Sequence, residues 1–203
     1  TINEQKLISQ YLDKNTEKID LLIEKVEKKI EFLNEQKNAL INQYITKGID
    51  PNMKMKDSEV EWIGMIPKHW KKVRIKYITN DHRQGFYTSD PYDEIGIPIL
   101  RITDINEHNK LNIKNSPKYN RNIEEIENFY LKKGDFVFPR TGGVGRFGII
   151  DFDETCIYGS FLIRFRFKNE LINNELLKFF FLSNLFLNQI KSEIHGGVNQ
   201  NIH

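Results

Sequence analysis

The stretch Ile19-Asp20-Leu21-Leu22-Ile23-Glu24-Lys25-Val26-Glu27-Lys28-Lys29-Ile30-Glu31-Phe32-Leu33 carries a seam of apolar residues, Ile19, Ile23, Val26, Ile30 and Leu33, at alternating steps of four and three. The seam runs on through Lys37, its one polar member, to Leu40 and Tyr44. That spacing is the heptad of a helix laying one narrow stripe against another helix. Between the seam positions stand Glu, Lys, Asn and Gln with charges of alternating sign, and neither Pro nor Gly occurs before Gly48, so intrinsic propensity agrees with the period. At ~1.5 Å per residue the seam predicts a rod on the order of 45 Å long.

Upstream, Thr1-Ile2-Asn3-Glu4 has the capping-box pattern and would open a first short helix through Leu12, with Asp13, Asn15 and Thr16 as caps for a break and a restart. Downstream, Gly48 stops the helix and Pro51 prevents its resumption. Residues 1–47 are therefore a coiled-coil rod, and residues 48–71 a linker with scattered apolar anchors. Its two tryptophans, Trp62 and Trp70, are expected to pin the rod to the next domain, because an indole is seldom left free in water.

From residue 72 the period changes to two. Val73, Ile75 and Tyr77 alternate with Arg74, Lys76 and Ile78 and predict a strand; residues 97–103, 136–140, 147–150 and 160–167 read the same way. Lys133-Gly134-Asp135 and Thr141-Gly142-Gly143 are turn chemistry between them. Residues 174–190 read as a helix apolar on most sides through Phe179-Phe180-Phe181. The fold class is α+β: a long N-terminal coiled-coil helix followed, over 72–203, by a mixed, mostly antiparallel-sheet domain.

Hydrophobic residues make up 39% and charged residues 29% of the 203, which suits a folded globular chain rather than a disordered one. Cys156, the single cysteine, excludes an internal disulfide framework, so a reducing cytoplasmic location is expected. No apolar run approaches the roughly 20 residues of a membrane span. A net charge of +2 is no nucleic-acid signature by itself. Its excess sits in residues 51–76, with seven Lys/Arg against three Asp/Glu, so any DNA contact must come from local patches rather than a global field.

Several motifs together resemble one family. Glu4-Gln5-Lys6, Leu12-Asp13, Ile19-Asp20, Lys47-Gly48-Ile49-Asp50-Pro51-Asn52, Met55-Lys56-Asp57-Ser58, Glu61-Trp62-Ile63-Gly64 and Ile66-Pro67-Lys68-His69-Trp70 are similar to the central region of type I restriction–modification specificity subunits. The following domain resembles their target-recognition domain, with Gly96-Ile97-Pro98-Ile99-Leu100-Arg101 followed by Asp104-Ile105, Gly134-Asp135 leading into Arg140-Thr141-Gly142-Gly143-Val144-Gly145, and Gln200-Asn201-Ile202 near the end. The resemblance implies a noncatalytic subunit that reads one half of a bipartite double-stranded DNA target. It implies as partners methyltransferase (modification) subunits, a restriction (nuclease/translocase) subunit and a second spacer helix, from another part of a longer chain or from another copy. It implies no cofactor on this chain. One rod precedes one domain, and the chain opens at Thr1 without an initiator Met; a fragment or a half-size form assembling in pairs is expected.

Three segments are candidate DNA contacts. In Arg140-Thr141-Gly142-Gly143-Val144-Gly145-Arg146, glycines would let backbone N–H groups approach a phosphate while Arg140, Thr141, Gly143 and Arg146 make contacts; a plain hairpin turn explains the same residues. It is no nucleotide-binding loop, for it lacks the Gly-Lys-Ser/Thr ending, and no acidic residue occurs from Phe136 to Ile150. Residues 80–89 place Arg83, Gln84 and Tyr87 in a polar stretch suited to base edges, though ordinary loops share that composition. Gln200, beyond His195-Gly196-Gly197, is a third candidate. The seam residues Ile19, Ile23, Val26, Ile30, Leu33, Leu40 and Tyr44 are the candidate partner surface, packing on the chain's own domain being the simpler alternative.

Enzymatic readings find little. The five histidines show no metal-ligand spacing, Cys156 has no neighbouring His, and neither a methyltransferase Asn-Pro-Pro-Tyr segment nor a paired acidic cluster with a Lys at nuclease spacing is present. A catalytic site and a metal site are expected on neither rod nor domain. Two alternatives stay open: part of a fused restriction–methylation polypeptide, and a coiled-coil interaction protein without DNA binding.

Overall fold

A single helix, α1, runs unbroken over Ile2–Lys47 for 46 residues, about 69 Å at 1.5 Å per residue. The capping box forms: Glu4 N–H donates to Thr1 Oγ1 at 3.3 Å, and the Thr1 amino group reaches Glu4 Oε2 at 3.3 Å. The expected break at residues 13–16 does not occur. Asn15 Nδ2 donates to the Tyr11 carbonyl at 2.6 Å and Thr16 Oγ1 to that of Leu12 at 2.9 Å, so both side chains bond back onto the preceding turn instead of capping a new one. Gly48, at φ 71°, ends the helix as expected.

The computed structural model describes residues 1–120, 123–143 and 145–192. The linker contains a hairpin that sequence periodicity misses: β1 (Met55–Asp57) pairs antiparallel with β2 (Met65–Pro67). The strand expected from Val73 is corrected. Ile75–Ile78 form one helical turn, α2, and the strand β3 begins only at Thr79–Gln84. The reason is packing: Ile75 and Ile78, three apart, both turn toward the aromatic cluster, which a strand would place on opposite faces.

A four-stranded sheet in the order β3–β9–β6–β7, antiparallel throughout, joins β3 to β9 (Leu162–Phe167), β6 (Phe136–Pro139) and β7 (Gly148–Ile149). A second sheet, β5–β4–β8, is built from β4 (Ile97–Leu100), β5 (Lys118–Tyr119) and β8 (Ile157–Tyr158), with β4 and β8 parallel. A short helix α3 (Ile123–Ile126) follows β5. The strand pairing is thus mixed and mostly antiparallel.

Alternation along β9 and β6 divides the core. Phe165, Phe167, Phe136 and Phe138 face a cluster completed by Phe147, Leu177, Phe181 and Phe186, while Leu162 and Val137 face a second cluster around Leu100, Ile150 and Tyr158. Behind the aromatic face lie α4 (Asn174–Leu182) and α5 (Asn184–Ser192), two helices where one was expected. Ser183, fully buried and extended, interrupts them, its hydroxyl donating to the Phe180 carbonyl at 2.6 Å. The rod docks here: Asn42 Oδ1 accepts from Asn184 N–H at 2.7 Å, satisfying a donor that a helix start leaves open. Ile41 is the residue of α1 that becomes buried.

Candidate nucleic-acid interface

The register of the sheet gathers the candidates at one end. Gln84 closes β3 opposite Ile163, Pro139 closes β6 opposite Leu162, and the residue 140–147 loop connects Pro139 to Gly148 in β7. Arg83, Gln84, Arg140, Thr141, Gly143 and Arg146 therefore sit around the start of β9, with Tyr87 three residues beyond Gln84. Backbone bonds tighten the cluster, Gly85 N–H to the Leu162 carbonyl and Arg140 N–H to that of Phe161, at 2.9 and 2.8 Å. Gly85 is needed for the approach, since a Cβ there would stand 2.2 Å from the Gly159 carbonyl oxygen.

The side chains differ in how free they are. Tyr87 is 76% exposed. Gln84 is exposed and its Nε2 donates to the Ser160 carbonyl at 2.9 Å. The Arg83 guanidinium lies 6.0 Å from the centre of the Phe129 ring, a cation–π distance. Arg140 forms no side-chain hydrogen bond or ion pair with the described residues. Arg146 is committed instead: Nη1 donates to the Ile105 carbonyl at 3.3 Å and Nη2 to that of Gly142 at 3.2 Å. It folds over its own loop, and a Cβ on Gly143 would meet it at 2.7 Å. Gln200 lies outside the described residues.

Phe161, 64% exposed at the tip before β9, belongs to the same surface, and sequence reasoning does not single it out; the available signal is Gly159-Ser160 ahead of an apolar residue that no alternation requires. Beneath this surface Arg164 is 1% exposed and pairs with Asp81, and Arg166 grips Asp135 through Nε at 2.8 Å and Nη2 at 3.0 Å. Burial pushes the Asp81 carboxyl up, but the hydrogen bond and charge of Arg164, aided by Arg166 and Arg83, hold it below its ordinary value of 3.8. The hydrogen bond to Asp135 raises Arg166.

The framework motifs prove structural. Asp104 accepts from Arg101 N–H at 2.8 Å and from Ser116 Oγ at 2.9 Å, and Asp135 accepts from Lys132 N–H at 2.8 Å. Both fix turns that carry the strands. Of the linker tryptophans, Trp70 packs near Gly48 and Pro67 and shares a cleft with α1 and α4, while Trp62, 59% exposed, borders a second cleft between the end of α1 and the start of α5; both stand at the junction where the expected pinning would occur. The Cys156 thiol is fully buried and pushed up to about 12 by that burial, far from a reactive thiolate. Among the described residues no group of His, Cys, Asp and Glu is arranged to hold a metal, and no helix is long and apolar enough to cross a membrane.

Residues 67–203 match the type I restriction modification DNA specificity domain family, and the chain belongs to it. It is 28% identical over 200 residues to the type I restriction enzyme MjaVIII specificity subunit of Methanocaldococcus jannaschii, an alignment covering 96% of this chain and 45% of that protein. The chain thus spans about half the length of this curated relative. Its fold is similar to that of the HsdS subunit from Thermoanaerobacter tengcongensis, with a TM-score of 0.51 at 14% identity, covering 91% of this chain and 44% of the other.

Proposed function

We propose that this chain is a noncatalytic DNA-recognition unit of a type I restriction–modification enzyme, reading one half of a bipartite target and delivering modification and restriction subunits to it. The observation that carries the reading is the gathering of Arg83, Gln84, Tyr87, Phe161 and Arg140 at one end of the four-stranded sheet, on a chain of the specificity-domain family. Arginine and glutamine are the side chains that pair bidentately with guanine and adenine edges, and an exposed phenol or phenyl ring can lie against a thymine methyl or the sugar. The rod supplies the assembly surface, for a second spacer helix and for methyltransferase subunits. Methyl donor, nucleotide and metal belong to those partners, in the reducing cytoplasm where the DNA is.

The test assembles the chain with its methyltransferase subunits, methylates a random-sequence DNA library, and sequences the modified sites. A single split motif that depends on this chain is the expected result. Methylation without sequence preference, or methyl transfer by the chain alone with S-adenosylmethionine, sinks the reading.

A further inference from the structure

Phe161 stands at a corner of the chain where a phenyl ring contributes little to the fold. Residues 159–162 form a turn closed by Leu162 N–H, which donates to the Gly159 carbonyl at 2.9 Å, so Ser160 and Phe161 are its two central residues. Such positions favour Gly, Pro, Asn, Asp and Ser for their backbone freedom or local hydrogen bonds, and Phe supplies neither. The ring is 64% exposed and meets no other aromatic ring among the described residues. Phe165 and Phe167, farther along β9, are stacked on each other within the aromatic cluster.

A single exposed phenyl is ordinary on a protein surface; what sets this one apart is how firmly its corner is held. Gln84 Nε2 donates to the Ser160 carbonyl at 2.9 Å, and Arg140 N–H donates to the Phe161 carbonyl at 2.8 Å. Gly159 N–H donates to the Leu100 carbonyl at 2.9 Å and ties the turn to the second sheet. Both carbonyls of the corner are therefore engaged by residues of the candidate interface, and the root of the ring is fixed beside them. Little backbone freedom remains to be lost there on binding.

The surroundings select the ligand. No acidic residue occurs in residues 82–89, 136–150 or 155–169, the three stretches that build this end of the sheet, and Arg83 and Arg140 lie in the first two. That is a surface for a polyanion, and an apolar ring within it calls for an apolar group on that polyanion. In the major groove of DNA the one methyl group on a base edge is that of thymine. It lies in the same row as N6 and N7 of the paired adenine, the atoms a Gln side chain takes bidentately.

We propose that Phe161 is a specificity-determining residue of this chain, its ring seated on the 5-methyl group of a thymine in the half-target, at or beside the base pair that Gln84 touches. The inference rests on the proposed DNA-recognition role and adds one defined contact, with a base methyl rather than a sugar or phosphate as its object.

The test removes the methyl and leaves every hydrogen-bonding group of the base in place. The chain is assembled with its methyltransferase subunits and its half-target is read by methylation sequencing. Duplexes are then made in which each thymine of that half-target is replaced singly by deoxyuridine. Fluorescence anisotropy gives dissociation constants for wild type and Phe161→Ala, with circular dichroism as the check on folding. At one thymine the replacement is expected to weaken wild-type binding by about fourfold, the effect of one methyl-sized group returned to water. Phe161→Ala is expected to bind the thymine duplex more weakly by at least that factor, and to bind the thymine and deoxyuridine duplexes at that position alike. A half-target without thymine, or a wild type indifferent to deoxyuridine at every position, overturns the proposal without recourse to any variant. A methyl preference that survives undiminished in Phe161→Ala overturns it as well. Indifference of the wild type to the methyl, with Phe161→Ala weakened alike on all duplexes, would instead mark the ring as a wedge between base steps. Methylation by the wild-type assembly with no sequence preference overturns the recognition role itself, and this contact with it.

Discussion

Among the described residues Arg164 is the largest fully buried side chain, and two of its nitrogens, Nε and Nη1, have no partner there. Its charge is met by Asp81, from the edge strand β3. A buried guanidinium deprived of its carboxylate is costly, so Asp81→Asn should lower stability at pH 7 by about 1–2 kcal/mol, a figure held down because Asp81 itself is partly open to solvent. The folded carboxyl titrates below its unfolded value, so this contribution is complete above about pH 4 and lost as pH falls through the folded value. Urea midpoints of wild type and Asp81→Asn should differ at pH 7 and draw together as pH falls below about 4; a constant gap would refute the pairing as its source. At the surface the same scale separates positioning from reading. Arg140, free of internal partners among the described residues, should act on phosphate: in the assembled methyltransferase Arg140→Ala weakens binding to target and random DNA alike, and each phosphate interaction removed flattens the salt slope by roughly 0.9. Gln84→Ala should cost about 1–3 kcal/mol on the target only. Salt titrations on both DNAs decide, and identical slopes for Arg140→Ala would make its loop a hairpin turn and nothing more. Arg146, held by two carbonyls, is expected to act through the shape of that loop.

Among the elements, α1 is legible because its period repeats over many turns and nothing in it breaks a helix. The misreading at residues 13–16 has a local cause: Asn and Thr can cap a helix or bond back to the fourth preceding carbonyl, and composition does not choose between them. β3 is hidden for a different reason. Thr79-Asn80-Asp81-His82-Arg83-Gln84 contains no aliphatic residue, so it resembles a loop, yet its partner strand β9 supplies Arg164 and Phe165 for Asp81 and for a His82 ring stacked 5.6 Å away. Edge strands are defined by their neighbours more than by their own pattern. The three-residue strands β1 and β2 are too short to show a period at all. Two predictions belong here. Gly85→Ala should dislodge the end of β3 from Gly159 and abolish target recognition while the rod's helicity persists, as read by methylation sequencing and far-ultraviolet circular dichroism. Phe181→Ala, at the centre of the aromatic cluster, should cost about 3–5 kcal/mol in a urea titration.

At the scale of the whole molecule, the candidate interface is only half legible in the sequence. Arg83, Gln84 and Arg140 stand out by residue type, but their convergence depends on the pairing of β3 and β6 with β9, a long-range register that no local pattern encodes. Phe161 escapes notice because an aromatic beside a strand reads as core. Rod and domain meet in few places, chiefly Ile41 and the Asn42–Asn184 hydrogen bond. Asn42→Ala should therefore loosen the attachment by about 0.5–2 kcal/mol, in the manner of a lost cap, with the rod's protection from hydrogen exchange falling in its last turns and the sheet's unchanged. Equal protection in both would show that the docking does not depend on this bond.

Trp70 borders the cleft at the foot of the rod, and Trp62 stands a few residues away in the linker. These are the only two indoles in the chain, so its ultraviolet emission reports on the junction and hardly at all on the recognition domain. A partner segment entering the cleft should displace water from Trp70 and move the emission toward shorter wavelengths. Trp70→Phe should abolish that shift and Trp62→Phe should keep it, which makes the unmodified protein its own optical gauge of assembly.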